Sequence, residues 1–160
     1  MSVSTKKISP CLWFDHRIEE AVNFYVTLFA GRILDTSYYN EAGPLPKGTV
    51  MTMTFTLHDE QFMALNGGPH FKFNEAVSFM VMCKDQAEVD KYWNALTADG
   101  GQESQCGWLK DKYGLSWQIT PTALLSYTTG KDTERARRAM QAMMTMKKID
   151  IAAIEKAAAG

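Results

Sequence analysis

Residues 20–29 read Glu-Ala-Val-Asn-Phe-Tyr-Val-Thr-Leu-Phe. Ile18, Ala21, Val22, Tyr25, Leu28 and Phe29 recur at helical spacing, which predicts an amphipathic helix over Arg17 to Phe29. Asp15 is its expected cap and Gly31 its expected stop. A shift of 68 residues lays Phe24-Tyr25 on Tyr92-Trp93, Leu28 on Leu96 and Pro10 on Ser78. The helix that decides the fold therefore occurs twice, and a repeated unit outweighs any single assignment.

Working outward, each helix sits in the same company. Ile8 to Phe14 is a short apolar run, read as a buried strand. Arg32 to Tyr39 is the next strand, followed by a Gly/Pro loop at residues 43–48. In Val50 to Leu57, Met51, Met53, Phe55 and Leu57 alternate with Thr52, Thr54 and Thr56. Gln61 to Asn66 returns as its hairpin partner. The second half repeats the order. Val77 to Cys83 is a strand, Asp85 to Glu88 resembles a capping box, and Val89, Tyr92, Trp93 and Leu96 mark a helix. Strands then follow at 102–105, 108–110 and 115–120. The expected class is α+β: two βαβββ modules, residues 8–66 and 77–121, each with one sheet face uncovered. Side by side they would curl into a half-open mixed-sheet barrel with helices outside and a cleft within, a setting for a small molecule.

The composition narrows the classes. The chain has 160 residues, 46% hydrophobic and 22% charged, which suits one globular domain and excludes wholesale disorder. A net charge of -1 gives no footprint for nucleic acid or an anionic membrane. No apolar run approaches the roughly 18 residues of a membrane span. Two lysines near the N-terminus have no hydrophobic stretch behind them, so a cytoplasmic location is expected. Three widely spaced cysteines argue against a disulfide framework; Cys11 and Cys83 read as buried strand residues. Residues 131–160 form a distinct helical extension beyond a domain at 1–130. They carry seven basic and four acidic side chains, leaving -4 for the rest. Met140, Met143, Met144 and Met146 give the extension a packing face that would cover an open sheet edge or clasp a second subunit.

Several stretches carry a resemblance to a known family. These are Pro10 to Asp15, Glu20 to Tyr25, Leu65 to Phe79, Cys106 to Gln118 and Met140 to Ile151. They resemble the PhnB-like branch of the glyoxalase, or vicinal-oxygen-chelate, superfamily, a branch often labelled a 3-demethylubiquinone-9 3-methyltransferase domain. The resemblance implies the paired βαβββ fold, a homodimer and a small-molecule ligand. Glyoxalase-like enzymes hold a divalent metal with His, Gln or Glu from the first and last strand of each module. Aligned on Phe24-Tyr25, those positions fall at Pro10, at Met63 or Ala64, at Ser78 and at Gln118. Only Gln118 is a plausible ligand, so no metal or other cofactor is expected. The methyltransferase label finds little support, because Gly67-Gly68 and Gly100-Gly101 follow a hairpin strand and a helix, not a strand that enters a helix.

The candidate residues follow from chemistry. His16 and His58 read as exposed, whereas His70 lies in a glycine-proline-aromatic loop. Glu75 follows that loop. If desolvated, Glu75 or His70 would serve as base in metal-independent lyase or isomerase chemistry at a carbonyl. Gln118 can donate and accept, and Thr52, Thr54 and Ser78 would add hydroxyls to the same concave face. Phe71, Phe73 and Trp108 would provide apolar walls. Cys106, beside Gly107 and Trp108, is either a ligand contact or a small buried residue. A non-catalytic binding protein is the alternative to an enzyme.

Overall fold

A computed structural model describes residues 6–128 and 131–160. The chain divides into two compact units, Met1–Lys72 and Phe73–Gly160. The first holds β1 (Cys11–Phe14), α1 (Ile18–Leu28), β2 (Arg32–Tyr38), β3 (Val50–Leu57) and β4 (Glu60–Asn66). The second holds β5 (Ser78–Cys83), α2 (Gln86–Thr97), β6 (Gln102–Glu103), β7 (Trp108–Lys110) and β8 (Ser116–Pro121). It continues into a helical turn, α3 (Leu125–Thr128), then α4 (Thr133–Met143) and α5 (Ile151–Ala159). The two sheets have equivalent strand orders, β1-β4-β3-β2 and β5-β8-β7-β6. In each, the outer pair (β1 with β4, β5 with β8) is parallel and the others are antiparallel. The expected repeat is therefore present strand for strand.

Each helix covers one face of its own sheet. Ile18, Ala21, Val22 and Tyr25 of α1 are buried, as are Val89, Tyr92, Trp93 and Leu96 of α2. Under α2, the sheet offers Leu109, Trp117 and Ile119, all at most 2% exposed. Burying each large side chain contributes about 2–3 kcal/mol. Trp93 adds a polar tie, its Nε1 donating to Glu103 Oε1 at 2.9 Å, which holds the short strand β6 to α2.

The helix ends correct the expectations. Asp85 does cap α2, accepting from Glu88 N at 2.9 Å, while Glu88 Oε2 takes Lys84 N. Asp15 does not cap α1; Arg17 stands at that position, and its guanidinium bonds Glu20 in place of the helix end. Asn66 Oδ1 from β4 accepts the neighbouring His16 N–H instead. Nor is Gly31 the left-handed stop: Ala30 takes the positive φ, 49°. Gly31 is required by a close approach, because a Cβ there would lie 1.8 Å from the Thr56 carbonyl oxygen. The first strand is also shorter than expected, starting at Cys11, with Ile8 left 87% exposed.

The β7–β8 hairpin turns around a buried carboxylate. Asp111 is 3% exposed. It accepts from Tyr113 N, Leu115 N and Trp117 Nε1 at 2.9–3.1 Å.

The C-terminal helices pack on the second unit. Tyr127, Ala139, Ile149, Ile154 and Ala158 form their own small core. Met143 and Met146 pack against it, whereas Met140 and Met144 stay exposed. Asp132 and Asp150 cap α4 and α5. Gln86 of α2 clamps the segment, donating to Ile149 O and accepting from Ile151 N. Cys106 N and Gly107 N donate to Met146 O and Lys147 O at 2.8 and 2.7 Å. The expected domain boundary at residue 130 falls where the chain lies outside the described residues.

Removing the Asp111 carboxylate takes the acceptor from three N–H groups, two of them buried. Asp111→Ala should cost about 3 kcal/mol of stability. Urea unfolding checks this, and a loss below about 1 kcal/mol would show that the turn closes without it.

Candidate functional site

The second sheet has one face under α2 and one open face. Register decides what the open face carries. Ser78 pairs Ser116, Met80 pairs Gln118 and Met82 pairs Thr120 across β5 and β8. Trp108 pairs Gln118 and Lys110 pairs Ser116 across β7 and β8. Residues directly opposite share a face, so these side chains form one surface. Ser78, Trp108 and Gln118, three of the residues expected to bind a ligand, are brought together there. Gln118 Nε2 donates to Ser78 Oγ at 2.8 Å. Met80 and Met82, 56% and 40% exposed, add apolar area to this surface.

The loop before β5 adds a charge pair. Glu75 Oε1 lies 2.7 Å from Lys110 Nζ. The Lys110 hydrogen bond holds the Glu75 carboxyl below the usual carboxylate range. This is not the desolvated setting expected for a general base: Glu75 is exposed and stays ionised. Glu75, Trp108, Lys110 and Ser116 contribute to the lining of a concavity of about 220 Å³. Lys110 and Ser116 were not among the expected site residues. A lysine and a serine in short strands carry no sequence signal until the register sets them opposite each other.

The remaining expected residues lie elsewhere. Thr52 and Thr54 are half-buried on the open face of the first sheet, opposite Leu65 and Met63. Thr52 shares a hydrogen bond with Ser37. The glycine-aromatic loop closes on Trp13, a residue sequence reasoning had left inside a buried strand. Trp13 Nε1 donates to Gly68 O at 2.8 Å, and Phe71 meets its ring edge-on at 4.9 Å. Gly67 is needed here, since a Cβ would fall 2.3 Å from the indole. Phe71 is 66% exposed, His70 is exposed and Phe73 is half-buried.

The donor set at the superfamily's metal positions does not suit a divalent ion. Pro10 has no side-chain donor and only a carbonyl, which accepts from Met63 N. Met63 and Ala64 offer no carboxylate, and Ser78 is already the acceptor of the Gln118 amide. Among the described residues, no three His, Cys, Asp or Glu side chains cluster to hold a metal. Glycine pairs are also absent from the turns entering α1 and α2, which read Asp15-His16-Arg17 and Lys84-Asp85.

The thiols differ in setting. Cys83 is fully buried beneath α2, and burial, reinforced by Glu88 and Asp85, pushes its thiol up to about 12. Cys11 was expected in the core but is exposed, because β1 lies at a sheet edge and places it on the open face with Met63. Cys106 is half-buried at φ 56°, its Sγ against Met143 O and Met144 Sδ at 3.7 and 3.6 Å. It thus faces the C-terminal segment.

A family model described as 3-demethylubiquinone-9 3-methyltransferase matches residues 6–120. A PhnB protein from Bacillus cereus is similar at 38% identity and a TM-score of 0.67, over 73% of this chain and 100% of that one. Protein PA1353 from Pseudomonas aeruginosa is 20% identical, over 73% and 98% of the chains, with a TM-score of 0.60. The fosfomycin resistance protein FosX from Mesorhizobium loti is 15% identical, over 85% and 100%, with a TM-score of 0.53. The last two likenesses concern the fold alone. Curated proteins offer no match. The family match stops short of α3, α4 and α5, although the Met140 to Ile151 stretch had also suggested it.

The cysteine environments are directly measurable. With iodoacetamide at pH 8, Cys83 should remain unmodified in the native protein and react only in denaturant, since only the thiolate attacks. Peptide mass mapping reads this; native labelling of Cys83 would mean that α2 opens readily.

Proposed function

The chain belongs to the 3-demethylubiquinone-9 3-methyltransferase family, the PhnB-like branch of the glyoxalase superfamily, and we propose that it binds a small, partly apolar molecule without a divalent metal. The observation that carries this reading is the Gln118–Ser78 pair on the open face of the second sheet. A polar pair set between Trp108 and the exposed Met80 and Met82 offers orientation by hydrogen bonds and affinity by apolar contact. The same Gln118 that would serve as the best metal ligand is here a partner of Ser78. Binding is favoured over proton abstraction, because Lys110 keeps Glu75 a weak base. The methyltransferase named in the family description lacks support from the strand-to-helix turns, which carry no glycine.

A homodimer belongs to the same reading. The edge strand β2 presents Ile33, Leu34 and Tyr38, each at least 39% exposed, a surface that calls for a cover. Three free cysteines support a reducing, cytoplasmic location. Among the described residues, no helix is long and apolar enough to cross a membrane.

Titration with an aryl ketone such as acetophenone, followed by amide NMR, should shift the Gln118 side-chain signal. Gln118→Leu should weaken binding about 5- to 10-fold, the loss of one hydrogen bond. Elemental analysis of protein purified without added ions should find no stoichiometric metal. One equivalent of Ni, Zn, Mn or Fe, or an unchanged affinity in the variant, would overturn the reading. Light scattering should give twice the chain mass.

A further inference from the structure

Ser116 is fully buried, yet its Oγ has no hydrogen-bond partner among the described residues. A buried hydroxyl is normally paired, so an unpaired one bordering open space marks a place for a missing partner. Ser116 lines the concavity that also holds Glu75, Trp108, Leu109 and Lys110. Lys110 is its direct cross-strand partner. Among the described residues the lysine pairs with Glu75, whose side chain is 61% exposed on the loop before β5. The other acid bordering the concavity, Glu103, is engaged separately by Trp93 Nε1 and Lys147 Nζ.

We propose that Lys110 and Ser116 form a carboxylate-recognition site in which Glu75 occupies the ligand's place until a small carboxylic acid displaces it. This rests on the small-molecule reading above and names its ligand class. Lys110 Nζ supplies the cation and Ser116 Oγ donates to a carboxylate oxygen. Trp108 flanks the apolar body, and about 220 Å³ accommodates a single ring. The group already on Lys110 is a carboxylate, at 2.7 Å, so geometry and charge suit another. Lys110 balances the single charge of a carboxylate, whereas a phosphate dianion brings a second charge that one lysine does not offset.

The probes are benzoate and its neutral counterpart benzamide, followed by amide NMR on the full chain. Benzoate should shift the Lys110 and Ser116 signals, and benzamide should bind at least tenfold more weakly. Glu75→Gln removes the internal competitor and should tighten benzoate several-fold. Lys110→Met should weaken benzoate about tenfold while acetophenone still shifts Gln118. Ser116→Ala, which keeps the strand, should weaken benzoate a few-fold. Equal binding of benzamide, or no gain in Glu75→Gln, overturns the carboxylate site. If acetophenone still binds at Gln118 in that case, only the ligand class falls. If neither probe shifts any signal on this face, both readings fall.

Discussion

The second module is organised around the Asp111 carboxylate. A charged group buried to 3% exposure persists only if its lone pairs are met, and here two backbone N–H groups and the Trp117 indole meet them. The two backbone bonds shape the turn. The indole bond reaches into the core beneath α2. Turn and core are therefore set by one side chain, and the turn sets the register of β7 against β8. A slip of one residue would turn Lys110 and Trp108 toward α2 and bring Leu109 to the open face. The β7 part of the candidate site depends on that register: Trp108 opposite Gln118, Lys110 opposite Ser116.

The two faces of this sheet separate stability from recognition. Beneath α2 the packing is apolar, tied by the Trp93–Glu103 and Trp117–Asp111 hydrogen bonds. On the open face, the polar groups of the candidate site are differently committed. Gln118 and Ser78 satisfy one another, Lys110 holds Glu75, and Ser116 holds nothing among the described residues. Such a surface has its own partners in the resting state. Ligand binding on it is an exchange of hydrogen bonds, whose net worth is smaller than the gross contacts suggest.

Periodicity made the helices and the repeat readable, because burial of one face leaves a pattern in a single chain. Val50 to Leu57 shows this: the alternation of Met53, Phe55 and Leu57 with threonines matches the observed burial. The site was readable only in part. Gln118, Ser78 and Trp108 were recognisable from their residue types and strand positions. Asp111 carries no signal of its own in the sequence, since its role depends on Trp117 six residues later. Cys11 and Trp13 sat in an apolar run, and such a run does not say which of its residues face the open side of an edge strand. Gly31 and Gly67 were visible as glycines, but their reasons, the Thr56 carbonyl and the Trp13 ring, come from partners distant in sequence.

The C-terminal segment changes what the turn at Cys106 and Gly107 costs. Here the two amides are taken by Met146 O and Lys147 O. The Bacillus cereus relative is fully covered by 73% of this chain, and the family match ends at residue 120. The strand that carries Trp108 and Lys110 is thus anchored at its start by a segment that lies outside the family match. The extension thus serves as an internal splint: it adds no residue to the site, but narrows the conformations from which the site is assembled.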